Sequence, residues 1–376
     1  MKIEQSRWIS PEGWAPALQS RRLGDARLVL AFGAGDLLRA RYAELREAYP
    51  VARLLGCSTA GEILGASVGD ETVVATAVDF KSTTIRGVMT RVENLERSRT
   101  AGGMLARELV GKGLVHVFVV SDGLSVNGSE LVKGIVEGLP PGIGVTGGLA
   151  GDGPRFKRTL SFLDSPPDTG IVAAIGFYGT KLKVGYGSFG GWDPFGVEWE
   201  ITRSRGSVLY ELDGQSALEL YRTFLGDQAA GLPATGLFFP LSLRIPDARG
   251  PIVRTLLAVD EAEGSLTFAG DIPRGSYARF MKANFNRLVE GAARAAQDSV
   301  VGFGGDPNLA ILISCVGRKL VLKQRIEEEI DAVRDVLGDR TAVAGFYSYG
   351  ELAPFAPLGP CELHNQTMTI TTFAEE

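Results

Sequence analysis

The chain has 376 residues, 45% of them apolar and 22% charged, with 39 basic against 44 acidic side chains and a net charge of −5. That length accommodates two domains with substantial cores, and the absence of a strongly basic block argues against nucleic acid as a partner. The three cysteines Cys57, Cys315 and Cys361 are odd in number, far apart and not in CxxC form, so neither a disulfide framework nor a thiolate zinc site is expected.

The N-terminus, MKIEQSRWISPEGW, carries charges and a proline where a signal peptide needs an apolar core. The longest aliphatic runs, LVHVFVV and LAILISCV, are too short to span a bilayer, so a cytoplasmic protein without membrane insertion is expected. Glycine is the compositional outlier: 49 residues, about 13% of the chain where about 7% is usual, placed among periodic apolar segments. Tight turns and close backbone approaches follow from that.

In chain order, Leu28 to Gly35 (LVLAFGAG) reads as a buried strand ending in a small-residue turn, and Leu37, Leu38, Tyr42 and Leu45 then form the apolar stripe of a helix. LLGCSTAGEIL from Leu54 is a second strand spaced with glycine, and TVVATAVDF from Thr72 a third. The pattern returns with LVHVFVVSDG from Leu114, GVTGGLAGDG from Gly144 and GIVAAIGFYG from Gly170. It returns again with LAILISCVG from Leu309, a helical stripe at Ile326, Ile330, Val333 and Leu337, VAGFYSYGELAP from Val343 and TMTITTF from Thr367. A strand, helix, glycine turn, strand unit is thus expected three times, with an acid (Glu62, Asp152, Glu351) after the last glycine of each turn.

A different region, roughly 181 to 308, separates the second and third units. KLKVGYGSFGGW alternates like a half-buried strand. LDGQSALELYRTFLG predicts a helix capped by Asp213 and stopped at Gly226; Ile252 to Phe268 predicts a hairpin around EAEG, and Ser276 to Asp298 a long helix. The predicted fold is mixed α/β, layered sheets covered by helices, with one domain over 1–190 and a second over 191–376 packed upon it.

The glycine segments and their surroundings resemble the FIST family, the F-box and intracellular signal transduction domains, over nearly the whole chain. The resemblance is carried by Gly56-Cys57-Ser58-Thr59-Ala60-Gly61-Glu62-Ile63, Ser121-Asp122-Gly123 and Gly147-Gly148-Leu149-Ala150-Gly151-Asp152 in the first half. In the second half it is carried by FGGWDPFG from Phe189, ITRSRGSVLYELDGQSALELY from Ile201, SYGEL from Ser348 and ELHNQTMTI from Glu362. It implies a bacterial, non-catalytic sensory protein with a FIST N-terminal and a FIST C-terminal domain that binds a small ligand. A two-domain member is similar to the haem-binding nitric oxide sensors that act on a histidine kinase or a cyclic-dinucleotide enzyme.

Haem b would need an axial ligand, and the chain has two histidines. His116 alternates within LVHVFVV, where a hydrogen-bonded core imidazole is the ordinary reading. His364, in the polar approach to a strand, is the candidate for the iron, with Asn365 beside it; both residues equally suit the backbone of a turn. Cys361 has no neighbouring cation to favour its thiolate.

Cys57 or Ser58 at the GCSTAGE turn suggests an alternative, an enzyme with a nucleophile there, although no catalytic partner motif accompanies either and the segment is not a G-x-S-x-G elbow. The glycine turns also lack the GxxxxGK[ST] phosphate loop, and the acid in GGLAGD would repel phosphate, so an amino acid or related metabolite is the alternative ligand. Glu62, Asp152 and Glu351 either accept backbone N–H groups in their turns or share a pocket, where Arg203 or Arg205 would oppose a ligand carboxylate. Trp192, with Phe189 and Phe195, either walls a pocket or plugs the domain junction. The candidate ligand-binding set is Cys57, Ser58, Thr59, Glu62, Asp122, Gly148, Asp152, Trp192, Arg203, Arg205, Glu351, His364 and Asn365.

Overall fold

A computed structural model describes residues 1–18, 26–246, 250–354 and 359–376. The continuous apolar runs form strands that are buried throughout except at Val115, as parallel strands covered on both faces require. Leu28–Gly33 lies parallel to Arg53–Ser58, Leu114–Ser121 to Gly144–Leu149, and Leu309–Cys315 to Ala342–Ser348. Each parallel pair is bridged by helix: Gly35–Ala48 in the first unit, Gly128–Gly138 in the second, and Val316–Leu322 with Ile326–Leu337 in the third.

The third strand of each unit adds antiparallel on the far side of the first: Val73–Asp79, Ile171–Tyr178 and Met368–Glu375. A leading strand completes each sheet beside the third: Lys2–Ile9, Thr84–Arg91 and Leu182–Phe189. Three sheets therefore share one strand order, and the threefold repetition expected from the sequence is present.

The exposed edge of each second strand is covered by a strand from another unit. Glu62–Leu64 of the first unit pairs with Ala342–Ser348 of the third; Gly350–Pro354 of the third pairs with Gly144–Leu149 of the second; Ser161–Leu163 of the second pairs with Arg53–Ser58 of the first. This cyclic exchange removes three sheet edges. It also draws the three glycine turns, which link each second strand to its exported strand, toward one centre.

Between the leading and first strands of the third unit, Asp193 to Lys282 builds a separate eight-stranded sheet around the long strand Asp193–Arg205. Its own core is mostly aliphatic around an aromatic group, with Tyr221 edge-on to Phe280 at 4.5 Å, and Trp199 and Phe268 in the same cluster. The predicted helix over 276–298 divides here: Tyr277–Lys282 is a strand paired with both Asp193–Arg205 and Leu241–Arg244, and the helix is Phe285–Ser299. Ala278 and Phe280 alternate inward, which suits a strand, and Asn284 caps the helix at the Arg287 amide. The shorter helix Ala217–Leu225 is capped by Ser216, not Asp213, whose carboxylate instead accepts the Glu200 amide at 2.7 Å. The predicted hairpin is Leu256–Asp260 with Ser265–Phe268.

Helix Phe285–Ser299 returns the chain to the third unit. It lies so close to Leu182–Phe189 that a Cβ at Gly185 would stand 1.9 Å from the Ser299 carbonyl oxygen, and one at Gly187 2.1 Å from that of Ala295. The junction is then locked by buried Arg318, which donates to Glu329 at 2.8 Å and to the carbonyls of Gly190 and Leu288 at 2.5 and 2.8 Å. Among the described residues, no helix is long and apolar enough to cross a membrane.

Candidate functional site

The three glycine turns meet in the interior and are stitched to one another by their backbones. Ala60 N–H donates to Tyr347 O and Tyr347 N–H to Gly61 O, both at 2.8 Å; Gly151 N–H donates to Ser58 O at 2.9 Å and Tyr349 N–H to Leu149 O at 3.2 Å. Gly148 belongs to this packing, since a Cβ there would come within 2.7 Å of Ile313. Glu62 opens the exported strand of the first unit and Glu351 lies in that of the third, whereas Asp152 stands in the loop ahead of its unit's exported strand Ser161–Leu163.

Glu62 and Glu351 are held alike. Thr59 hydroxyl donates to Glu62 at 2.5 Å, and the amide and hydroxyl of Thr72 donate to its other oxygen at 3.2 and 2.7 Å. Ser348 hydroxyl donates to Glu351 at 2.7 Å, and the amide and hydroxyl of Thr367 at 3.2 and 2.9 Å. Burial raises the carboxyl of Glu62 to about 7 and that of Glu351 to about 8, against the opposing pull of these donors.

Asp152 faces elsewhere. It accepts the amides of Phe156, Lys157 and Arg158, all at 2.9 Å, and the hydroxyl of Tyr349. Burial alone would raise its carboxyl, but the Tyr349 hydroxyl and the three amides outweigh it and the net shift is downward. The clamp holds Phe156 at φ +51°, a left-handed conformation that a bulky residue rarely adopts. The Phe156 ring stacks on Tyr349 at 4.3 Å and 11°. Asp122 fixes the neighbouring turn, accepting from Leu124 N, Ser125 N, Gly170 N and the Thr159 hydroxyl at 2.7 to 2.8 Å.

The stacked pair walls a cleft of about 320 Å3. On one side stand Leu124, Val126 and Asn127 at the start of helix Gly128–Gly138; on the other stand Ser207, Leu257 and Thr267 to Asp271 of the inserted region. Asn127 caps that helix and its side-chain amide also reaches Asp271 at 3.3 Å, while Lys133 reaches the other Asp271 oxygen at 3.4 Å. A second cleft of about 300 Å3 lies beside Thr59, Gly61 and Glu62, where Lys319 donates to Ala60 O at 2.8 Å and pairs with Asp70.

The remaining sequence candidates scatter. Cys57 is fully buried, which pushes its thiol well above its ordinary value, and Ser58 hydroxyl accepts Leu160 N–H at 2.8 Å; neither environment activates a nucleophile. Arg203 and Arg205 lie on the exposed side of the inserted sheet, Arg203 paired with Glu211 at 3.2 Å, and neither lines a cleft with Glu62, Asp152 or Glu351. Trp192 plugs the domain junction, its indole N–H donating to Gln366 O at 2.8 Å.

His116 is a core imidazole 2.8 Å from the Thr146 hydroxyl. His364 sits in the Cys361–His364 strand with Nε2 3.0 Å from Ala353 O, and burial lowers its imidazole to about 4. That nitrogen is engaged and His364 lines neither cleft, so the placed residues do not fit a haem iron there. Asn365 is buried with both amide atoms unpaired.

Phe156, Tyr349 and Asp271 escaped sequence reasoning. Asn127 had a readable signal, since Asn-Gly-Ser-Glu before an apolar run marks a helix start. Phe156 had none, because its role comes from a conformation that Asp152 imposes.

Comparison with known proteins gives matches to the families described as FIST N domain, over residues 27–215, and FIST C domain, over residues 217–354. An uncharacterized protein of Methanocaldococcus jannaschii is 22% identical over 344 residues, covering 83% of this chain; the chain spans 64% of that relative's length. Among solved structures, a cyanuric acid hydrolase from A. caulinodans is similar with a TM-score of 0.42 at 7% identity, covering 100% of this chain and 99% of the other.

Proposed function

The chain belongs to the FIST family, and on that premise we propose that it is a non-catalytic sensor whose small ligand enters the cleft beside Phe156 and Tyr349. FIST domains are sensory domains that bind small ligands. The observation that supports this cleft is its position: Phe156 and Asn127 belong to the stretch matched by the N domain, and Leu257 and Asp271 to that matched by the C domain. An occupant would touch both, and its affinity would differ between arrangements of the two. Such differential affinity is what a sensor requires.

A signalling partner reads the change; a histidine kinase or a cyclic-dinucleotide enzyme is the proposal drawn from the resemblance. A thermal-shift screen of metabolites, amino acids included, tests the reading, followed by hydrogen exchange on any hit. Stabilisation with protection at 124–128 and 267–271 is expected. Hits that protect only other regions would displace the cleft as the site. Haem with nitric oxide rests on the resemblance alone, and a Soret band that shifts with nitric oxide is the measurement for it.

A further inference from the structure

The cleft has a chemical bias, and we propose, building on the sensor reading above, that it takes an uncharged, planar bicyclic aromatic with one N–H donor. The lining of the cleft leads there. Phe156 is 39% exposed whereas Tyr349 beneath it is 7% exposed, so the pair offers one flat aromatic plate to an occupant. The plate is pre-ordered: Asp152 already holds the Phe156 backbone, and the ordering cost of a stacking partner is met before the ligand arrives.

The remaining walls are largely aliphatic, with Leu124, Val126, Leu149, Leu257 and Leu363 around the plate. No cationic side chain lines the cleft among the described residues, which disfavours an anionic ligand. The acidic lining group is Asp271, whose carboxylate oxygens receive, among the described residues, the long contacts from Asn127 at 3.3 Å and Lys133 at 3.4 Å. That carboxylate retains acceptor capacity for a ligand N–H, while Lys133 offsets its charge so that a full cation is not demanded. A cleft of about 320 Å3 admits a two-ring molecule.

Indole is the probe, with 1-methylindole as the same plane lacking its N–H. Titration calorimetry on the whole protein should show indole binding, 1-methylindole about tenfold weaker because the charge-assisted hydrogen bond is lost. Phe156→Leu, which keeps apolar area but removes the plate, should weaken indole about fivefold. Equal affinity for the two probes on the unaltered protein, or no indole binding, overturns the ligand class; so does full retention in a Phe156→Leu protein with an unchanged melting temperature. The sensor reading is judged apart, on whether a screened metabolite of another class protects the cleft segments in hydrogen exchange.

Discussion

Glu62 and Glu351 on one side and Asp152 on the other follow the last glycine of the turn in three related units, yet they do opposite things. Each glutamate folds back into its own turn, onto a hydroxyl three residues earlier and onto the threonine that opens the third strand. The second unit has Gly170 before its third strand, with no hydroxyl to offer, and its amide goes to Asp122. Asp152 is left to organise residues 156 to 158 and, through them, a cleft wall. Repetition builds a closed centre, and one divergent copy opens a site at its margin.

The largest test of this contrast is Asp152→Ala. It removes the carboxylate from three amides and from the Tyr349 hydroxyl, which keeps the Gly153 carbonyl at 2.8 Å and the Phe156 amide at 3.3 Å, at a cost on the order of 3 kcal/mol. Trypsin should then cut at Arg155, Lys157 or Arg158, and binding in the cleft should fail. Glu351→Ala should cost about 2 kcal/mol through its orphaned Ser348 and Thr367 while leaving cleft affinity unchanged. Unchanged trypsin resistance in the first variant, or lost binding in the second, would break the division of roles.

The two kinds of carboxyl also predict opposite responses to pH. Glu62 and Glu351 have folded values of about 7 and about 8, above the ordinary 4.5. The folded state holds these protons after the unfolded chain has released them, so their contribution is full below pH 4.5 and is lost as pH rises through 7 and 8. Asp152 is shifted downward, so its contribution is present above its ordinary value and lost in acid. Glu62→Gln with Glu351→Gln keeps the cradles without a titrating proton and should remove the alkaline decline, at most about 1.4 kcal/mol per pH unit for each group. Urea midpoints at pH 5, 6.5 and 8 that decline equally in both proteins would refute this assignment.

Much of the architecture was legible because it rests on periodicity. The buried strands Leu28–Gly33, Leu114–Ser121 and Leu309–Cys315, and the recurrence of the acid after the glycine turn, are visible as patterns of apolar and small residues. The exchange of strands among units was not legible, because Glu62–Leu64 looks like a continuation of its own unit and pairs with residues some 280 positions away. Tyr277–Lys282 was misread as helix because its neighbours supply a ladder that composition does not reveal. At the site, Asp152 was visible as a residue; its partner Tyr349 lies in another unit and Asp271 in a loop of the inserted region.

A smaller effect is expected from Tyr349→Phe, which keeps the stacking ring and removes the hydroxyl that donates to Asp152. The loss should be about 1 kcal/mol with cleft affinity reduced only modestly, since three amides still clamp the loop. Loss of binding equal to that of Asp152→Ala would shift the organising role from the carboxylate to the phenol.

The smallest change in stability should come from Phe156→Gly, where two terms oppose. Glycine adopts φ +51° without the strain that phenylalanine bears, worth about 1 kcal/mol in favour of the variant. Removing the ring forfeits its stack on Tyr349, worth roughly 0.5–1.5 kcal/mol, and the exposure of the ring limits what else is lost. The melting temperature should therefore stay nearly fixed while affinity for a cleft ligand collapses. A residue whose conformation is strained and whose removal costs the fold almost nothing is held there for what it binds; a large fall in stability would instead make Phe156 part of the core that Glu62 and Glu351 serve.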